Sequence, residues 1–273
     1  MFECKFRSGQ TFKELINTIS SFVEDGELVA TPNGLELRAI DESRIAMIDL
    51  FVSKDICETY TCDEDVKLKI NFNDLDKVVS RTSGNEEVNL RFLADTNKLQ
   101  IKFKGKSTRT FSIPLVEEVK CESIQGASLS SDVEIKINAS TLSQAIKDAK
   151  LIDDLADFIV QSNGEFSLSV NSDKGDLRID FEENAQRNDA NTNVISKYSL
   201  DYLTKILKAS VLSDEVTIEF SKENPIVLKF PILNDESNGR IIYFLAPQVE
   251  EEEIDEESED EEVPEIYDED TEE

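Results

Sequence analysis

The sequence predicts an α+β chain made of two copies of one domain, each with helices laid over antiparallel sheet. Three observations lead there. Asp25–Val52 and Asp154–Glu182 share one order of strand, turn, strand, loop, strand, and their Asn33-Gly34 and Asn163-Gly164 turns stand 130 positions apart. Asn-Gly between alternating apolar runs marks a hairpin, because both turn residues must take positive φ. Glu87–Phe92 (EVNLRF) then parallels Glu215–Phe220 (EVTIEF) at an offset of 128. Finally, four helical stripes alternate with runs of period two.

The first helix is expected from about Thr11, where Thr11 and Glu14 have capping-box spacing and Phe12, Leu15, Ile16, Ile19, Phe22 and Val23 form one apolar stripe. A second is expected over Asn73–Thr82, burying Leu75, Val78 and Val79, and a third over Ser140–Leu151, burying Leu142, Ala145, Ile146 and Ala149. The fourth spans Ser199–Ala209 with Leu200, Leu203, Ile206 and Leu207 inward. Leu99, Ile101 and Phe103, like Val216, Ile218 and Phe220, alternate as half-buried strands with one face under the helices. Pro114–Asp132 has no sustained period. The expected organisation is therefore a first domain over 1–113, a connector over 114–132, a second domain over 133–249 and an acidic tail over 250–273.

Composition removes several function classes. The 273 residues hold 29 basic and 59 acidic side chains, net −30, but residues 250–273 carry 17 of the acids and no Lys or Arg, leaving the body at 29 against 42. Such a tail cannot bury enough apolar surface to fold. With no histidine, Ser-His-Asp and Cys-His nucleophilic sites and imidazole metal ligands are excluded. The nine glycines contain no G-x-G-x-x-G or G-x-S-x-G spacing, and Gly105-Lys106-Ser107 reads as a polar turn because position 100 is Gln. Cys4, Cys57, Cys62 and Cys121 form no C-x-x-C pair and too sparse a set for a disulfide framework. No run of 18 apolar residues occurs and Met1–Gln10 lacks an apolar signal core, so no membrane association is expected and an intracellular place is. Asp63-Glu64-Asp65 and Asp153-Asp154 with Asp157 raise a carboxylate metal site, but without EF-hand spacing they read as solvated loop charge.

The non-apolar helix faces carry cations at helical spacing: Lys13, Lys77 with Arg81, Lys147 with Lys150, and Lys205 with Lys208. Two readings stand for them on the residues alone. They could face a polyanion, or they could complement the helix macrodipole, as Asp74 before Lys77 and Asp201 before Lys208 suggest.

Met1-Phe2-Glu3, Gly34–Leu50 (GLELRAIDESRIAMIDL), Tyr60-Thr61-Cys62-Asp63, Ser83-Gly84-Asn85-Glu86 and Leu245–Glu250 (LAPQVE) together resemble, in order and over residues 1–250, the archaeal-type sliding clamps related to proliferating cell nuclear antigen. The resemblance implies a ring of three subunits with helices lining a central pore, sheets outside, and duplex DNA encircled without base readout. It implies no catalytic activity, cofactor or metal. Implied partners are DNA polymerase, the clamp loader (replication factor C), flap endonuclease and DNA ligase. The place is the cytoplasm or nucleoid if the source is archaeal, the nucleus if eukaryotic. Lys13, Lys77 and Lys208 match the family's cationic pore positions, with Arg81, Lys147, Lys150 and Lys205 beside them.

The resemblance also implies a hydrophobic pocket for a short partner motif, the PIP box. It would be formed by Ile40, Ser43, Arg44, Ile45, Met47, Ile124, Leu129, Pro225, Phe244, Ala246, Pro247 and Val249. Arg44 stands where relatives often carry His, and Phe244 where they often carry Tyr, so one polar contact is lost. Ring closure would pair Thr108–Leu115 with Gly175–Phe181 of a neighbour. Arg81, Arg109, Phe111, Ile113, Asp148, Leu177 and Ile179 would line that joint, Arg109 with Arg81 pairing Asp148. Ser140 and Gln144 replace acids found in some relatives, which leaves a homotrimer and a heterotrimer with sister subunits both open. A competing reading makes the chain an acidic chaperone or scaffold for basic proteins, acting through the tail.

Overall fold

The computed structural model describes residues 1–83, 86–118, 131–187 and 193–248. In the first half β1 (Phe2–Phe6), α1 (Gly9–Ser20), β2 (Asp25–Thr31), β3 (Gly34–Ile40), β4 (Ala46–Ser53), β5 (Cys57–Cys62), β6 (Val66–Asn71), α2 (Phe72–Val79), β7 (Glu87–Leu93), β8 (Lys98–Lys104) and β9 (Thr108–Pro114) follow one another. The second half repeats that order as β10 (Val133–Asn138), α3 (Ala139–Ala149), β11 (Leu155–Val160), β12 (Glu165–Ser172), β13 (Gly175–Asn184), β14 (Gln186–Arg187), β15 (Val194–Ser199), α4 (Leu200–Ile206), β16 (Glu215–Phe220), β17 (Ile226–Pro231) and β18 (Gly239–Leu245). A 3₁₀ turn over Leu207–Val211 prolongs α4.

Each half splits its strands into a group of five and a group of four. The first half's five form the sheet β5-β1-β7-β8-β9, and the second half's four form β13-β12-β11-β15. The remaining groups fuse into one nine-stranded sheet, β14-β10-β16-β17-β18-β4-β3-β2-β6, in which β18 of the second half pairs antiparallel with β4 of the first. Both faces of that seam are specified. Ile48, Leu50, Val52, Ile241, Tyr243 and Leu245 point into the core, while Met47, Asp49, Ile242 and Phe244 alternate onto the opposite face. Phe22, just after α1, packs edge-on against Tyr243 at 5.2 Å between centroids, and Tyr243 meets Phe230 at 6.2 Å, so aromatic packing crosses from one half to the other.

Three of the helices, α1, α2 and α3, begin one or two residues before the positions the sequence suggests, and α4 begins at Leu200, one residue after. Ser8 caps α1, its Oγ accepting from Thr11 N at 3.1 Å, whereas Thr11 is buried inside the helix and Glu14 accepts from Gln10 Nε2 at 2.6 Å. The Thr11–Glu14 capping box is therefore corrected: Ser8 lies one turn earlier and is an equally good acceptor for the free amides. Asn71 and Asn138, each the last residue of a strand, cap α2 and α3 by accepting from Asp74 N at 2.9 Å and from Ser140 N at 3.0 Å. The helix α2 stops at Val79, short of Thr82, with Leu75 and Val79 buried and Val78 half-buried. The inward residues expected of α3 and α4 are all buried. Cys4, Cys57 and Cys62 are free thiols in the core, and Cys121 lies outside the described residues. No described helix is long and apolar enough to cross a membrane.

The seam tolerates little at its end. Gly239 has φ 124°, and a Cβ there would stand 2.1 Å from Phe51 O on β4. Gly239→Ala therefore forces an unfavourable backbone and a clash together, a cost of about 2–3 kcal/mol. Urea unfolding of this variant should show that loss, and an unchanged midpoint would contradict the close approach of β18 to β4.

Candidate nucleic-acid interface and partner groove

The four helices form one row. The helix α1 packs on α2 and on the 207–211 turn, and that turn packs on α3 and α4. Their apolar stripes are buried against the sheets, so their polar faces lie together on the other side. Lys77, Arg81, Lys147, Lys150, Lys205 and Lys208 are exposed there and Lys13 is half-exposed.

Several of these cations already have partners. Lys13 Nζ donates to Ser80 O at 3.2 Å, tying α1 to the end of α2. Lys77 pairs with Asp74 at 2.8 Å, and that hydrogen bond raises its pKa. Lys150 pairs with Asp201, bridging α3 and α4, and Lys205 Nζ sits 5.2 Å from the Tyr202 ring centroid. Among the described residues Lys147 and Lys208 make no ion pair. The macrodipole reading fits α2, with Asp74 in its first turn and Lys77 in its last, and α4, with Asp201 and Lys205. It does not explain Lys13, because α1 has no acid in its first turn and no base in its last.

A second feature lies on the face of the fused sheet away from the core. Ile40 on β3 stands opposite Met47 on β4, Met47 opposite Phe244 on β18, and Phe244 opposite Val227 on β17, an apolar row across four strands. Ile45, Ala246 and Pro247 are half-buried at its end, where Ala246 N donates to Ile45 O at 2.9 Å, and Pro225 is half-buried two residues from Val227. Val227 was missed in the sequence because Ile226 and Leu228 flank it and hide the alternation. Its parity with Pro225 and Lys229 was the usable signal. Ile124, Leu129 and Val249 lie outside the described residues.

Beside this row the loop 41–45 is held by one carboxylate. Asp41 Oδ1 accepts from Ile45 N at 2.8 Å and Ala46 N at 2.7 Å, and Oδ2 accepts from Ser43 N at 3.0 Å. The same Oδ2 accepts the Tyr202 hydroxyl, 2.6 Å away on α4 of the other half. Burial first, and then the bond to Asp41, raises the Tyr202 pKa. Arg44 occupies the left-handed region at φ 60° and is exposed with Ser43 on the loop's outer side. A cleft of about 900 Å³ opens next to the loop, between the end of α1, Ile40 and the α4 side chains Tyr202 and Lys205. Neither Asp41 nor Tyr202 belonged to the expected pocket, since their meeting depends on the seam.

The third feature is a pair of free sheet edges. The strand β4, paired on both sides, is largely buried, whereas β9 and β13 alternate half-buried and exposed residues along their whole length. Arg109, Phe111, Ile113, Leu177 and Ile179 are among the half-buried members, and Asp148 on α3 is half-buried beside Gln144, which donates to it at 2.8 Å. Arg109 does not wait for Asp148. Its guanidinium pairs with Glu86 at 2.6 Å, donates to Arg81 O at 3.3 Å and lies 5.4 Å from the Phe103 centroid. Leu151, just past α3, is an apolar side chain that is 78% exposed.

Two like domains sharing one sheet, a helix row on one side and an open edge on each domain, define the two-domain clamp fold. The family profiles described as "Proliferating cell nuclear antigen, N-terminal domain" and "Proliferating cell nuclear antigen, C-terminal domain" match residues 1–121 and 132–248. A "DNA polymerase sliding clamp" of Pyrococcus abyssi is 30% identical over 253 residues, 92% of this chain and 99% of its own length. "DNA polymerase sliding clamp 1" of Pyrobaculum aerophilum is 32% identical over 243 residues, 88% of this chain and 95% of its own length. The crystal structure of PCNA from Thermococcus kodakaraensis superposes with a TM-score of 0.82 at 24% identity, over 91% of this chain and all of that one. This chain belongs to the proliferating cell nuclear antigen family of DNA sliding clamps.

The Tyr202–Asp41 bond is the structural tie most open to test. Tyr202→Phe removes one hydrogen bond to a carboxylate, worth about 1.5 kcal/mol, so the Ile45 and Ala46 amides should exchange with solvent roughly tenfold faster. Unchanged protection of those amides would show that the 41–45 loop stands without help from α4.

Proposed function

We propose that three copies of this chain close into a ring around duplex DNA and that the apolar row of β3, β4, β18 and β17 holds the proteins working there. The observation that carries the ring is the seam. The strand β18 is the last strand of the second half and β4 ends the hairpin series of the first. Their counterparts by repeat are β9 and β13, and among the described residues these have no partner on one side. The in-chain seam and an inter-chain joint are then one interaction made twice. Carrying the register over by repeat sets Phe111 opposite Leu177, as Tyr243 is opposite Ile48, and Arg109 opposite Ile179, as Ile241 is opposite Leu50. Such a joint covers two open edges that otherwise invite unwanted pairing.

In this reading residues 1–113 and 133–249 are the two clamp domains, joined through 114–132, and 250–273 is an appended acidic segment. The polar helix row faces the DNA. Duplex DNA carries roughly one charge per 1.7 Å, yet a closed ring stays on it by topology and needs mobility more than affinity. The partly neutralised cations suit that: Lys13, Lys77, Lys150 and Lys205 keep in-chain partners, while Arg81, Lys147 and Lys208 supply unpaired charge. The net negative charge of the chain discourages DNA from binding elsewhere. No residue is assigned a catalytic role.

The groove would take the aromatic and aliphatic anchors of a DNA polymerase, and by the same chemistry those of a clamp loader, a flap endonuclease or a DNA ligase. Ile40, Ile45, Met47, Val227, Phe244, Ala246 and Pro247 form its floor and Ser43 and Arg44 its rim, with Ile124, Leu129 and Val249 expected from the remaining segments. Such a protein works inside the cell. The chaperone reading draws no support from the family match.

Lys77→Glu with Lys208→Glu reverses two charges per subunit and should cut clamp-stimulated processive synthesis roughly tenfold at low salt. Processivity equal to the parent chain would remove the helix row as the DNA-facing surface.

A further inference from the structure

We propose that the outer faces of the two open edges carry opposite charge, so that the joint selects a second copy of this same chain over a sister subunit. The inference rests on the ring reading above and concerns which chain completes the joint. The outward face of β8 carries Lys98, Lys102 and Lys104, all exposed, with the half-buried Gln100 between them. Next to them the outward residues of β9 are Thr108, Thr110 and Ser112, short and uncharged. On the other edge the exposed charged residues of β13 are Asp176, Arg178, Asp180 and Glu182, with Arg178 held by Asp180 at 2.8 Å.

The register carried over from the seam decides which of these meet. It sets Thr108 opposite Asp180, Thr110 opposite Arg178 and Ser112 opposite Asp176, and within the first domain Lys104 is opposite Thr108 and Lys102 opposite Thr110. Lys104 and Asp180 then share a row with one threonine between them. The outer strands of that row are about 9.6 Å apart, two strand spacings, and a lysine lying over a threonine closes most of that gap. Lys102 meets Arg178 in its own row but has Asp176 and Asp180 on the two diagonals, and the turn bearing Lys106 lies level with Glu182. Within the chain Lys104 is 3.6 Å from Glu87, while Lys98, Lys102 and Lys106 make no ion pair among the described residues. The corresponding row of the seam, Lys229 on β17, Ile242 on β18 and Asp49 on β4, pairs opposite charges where the joint sets Lys102 against Arg178, so the complementarity of the joint comes from its other rows and diagonals.

A cationic edge on one domain and an anionic edge on the other is self-complementary head to tail, which is the symmetry a cyclic homo-oligomer needs. Exposed pairs of this kind are screened within about 10 Å at 0.1 M salt, so the joint should weaken with salt.

The test is sedimentation of the full-length chain over a dilution series, at low and at high sodium chloride. Wild type is compared with Lys102→Glu/Lys104→Glu, with Asp176→Lys/Asp180→Lys, and with all four changes in one chain. Each double variant should self-associate about tenfold more weakly than wild type at low salt, with the difference shrinking at high salt. The fourfold variant restores complementarity, so it should regain most of the lost affinity and exclude tagged wild-type subunits from its assemblies. Double variants that assemble like wild type, or a fourfold variant as weak as the doubles, would overturn the inference while leaving a wild-type ring intact. A wild type that is monomeric at every concentration would instead remove the ring reading beneath it.

Discussion

The architecture depends on one backbone interaction, the antiparallel pairing of β18 with β4. It turns a five-stranded group and a four-stranded group from different domains into a continuous sheet of nine. An edge strand left alone exposes a row of unpaired amides and carbonyls. Here the pairing satisfies that row and carries Phe22, Tyr243 and Phe230 into contact across the domain boundary. Each fully buried aromatic contributes about 1.5–3 kcal/mol, so the seam stiffens the arrangement of the domains as well as joining them. The same pairing brings Tyr202 within reach of Asp41 and aligns Ile40, Met47, Phe244 and Val227 in one row.

A chain of two like halves that uses its seam once has the components of that seam left over. The β9 edge lacks what β18 found in β4, and the β13 edge lacks what β4 found in β18. Assembly by repetition of an existing interaction requires no new surface chemistry, only that the second use be between chains. It also reconciles a net charge of −30 with a role on DNA. In the proposed ring the nucleic acid is retained by closure, so each phosphate contact has only to be weak, and lysines tempered by Asp74, Asp201 or a tyrosine ring would suit contacts that are made and broken during sliding.

Much of this was legible in the residues. The Asn-Gly turns and the EVNLRF and EVTIEF strands revealed the repeat, and the spacing of apolar residues located all four helices within a turn. Helix starts were harder. Thr11 with Glu14 matched a capping pattern, but Ser8 offered the same hydroxyl one turn earlier, and local sequence does not rank the two. Arg109 found Glu86, a partner that strand pairing brings close. Val227 was hidden in an apolar run whose alternation only the register exposes. The charge polarity of the two edges was likewise invisible, because Lys104 and Asp180 fall into one row of the proposed joint only once the seam's register is known.

Covalent capture of the joint tests the central claim most directly. Thr110→Cys with Arg178→Cys, in a chain whose Cys121 is Ser, places two thiols at the directly opposed position that Ile242 and Asp49 occupy in the seam. Directly opposed residues of an antiparallel pair have Cα atoms about 4.5–5.5 Å apart, within the roughly 4.4–6.8 Å range that a disulfide spans. Mild oxidation followed by mass measurement under denaturing conditions should give one closed species of about 92 kDa, three chains of 30.8 kDa. A chain that stays at 30.8 kDa, or that yields only open ladders without a closed trimer, would contradict the account.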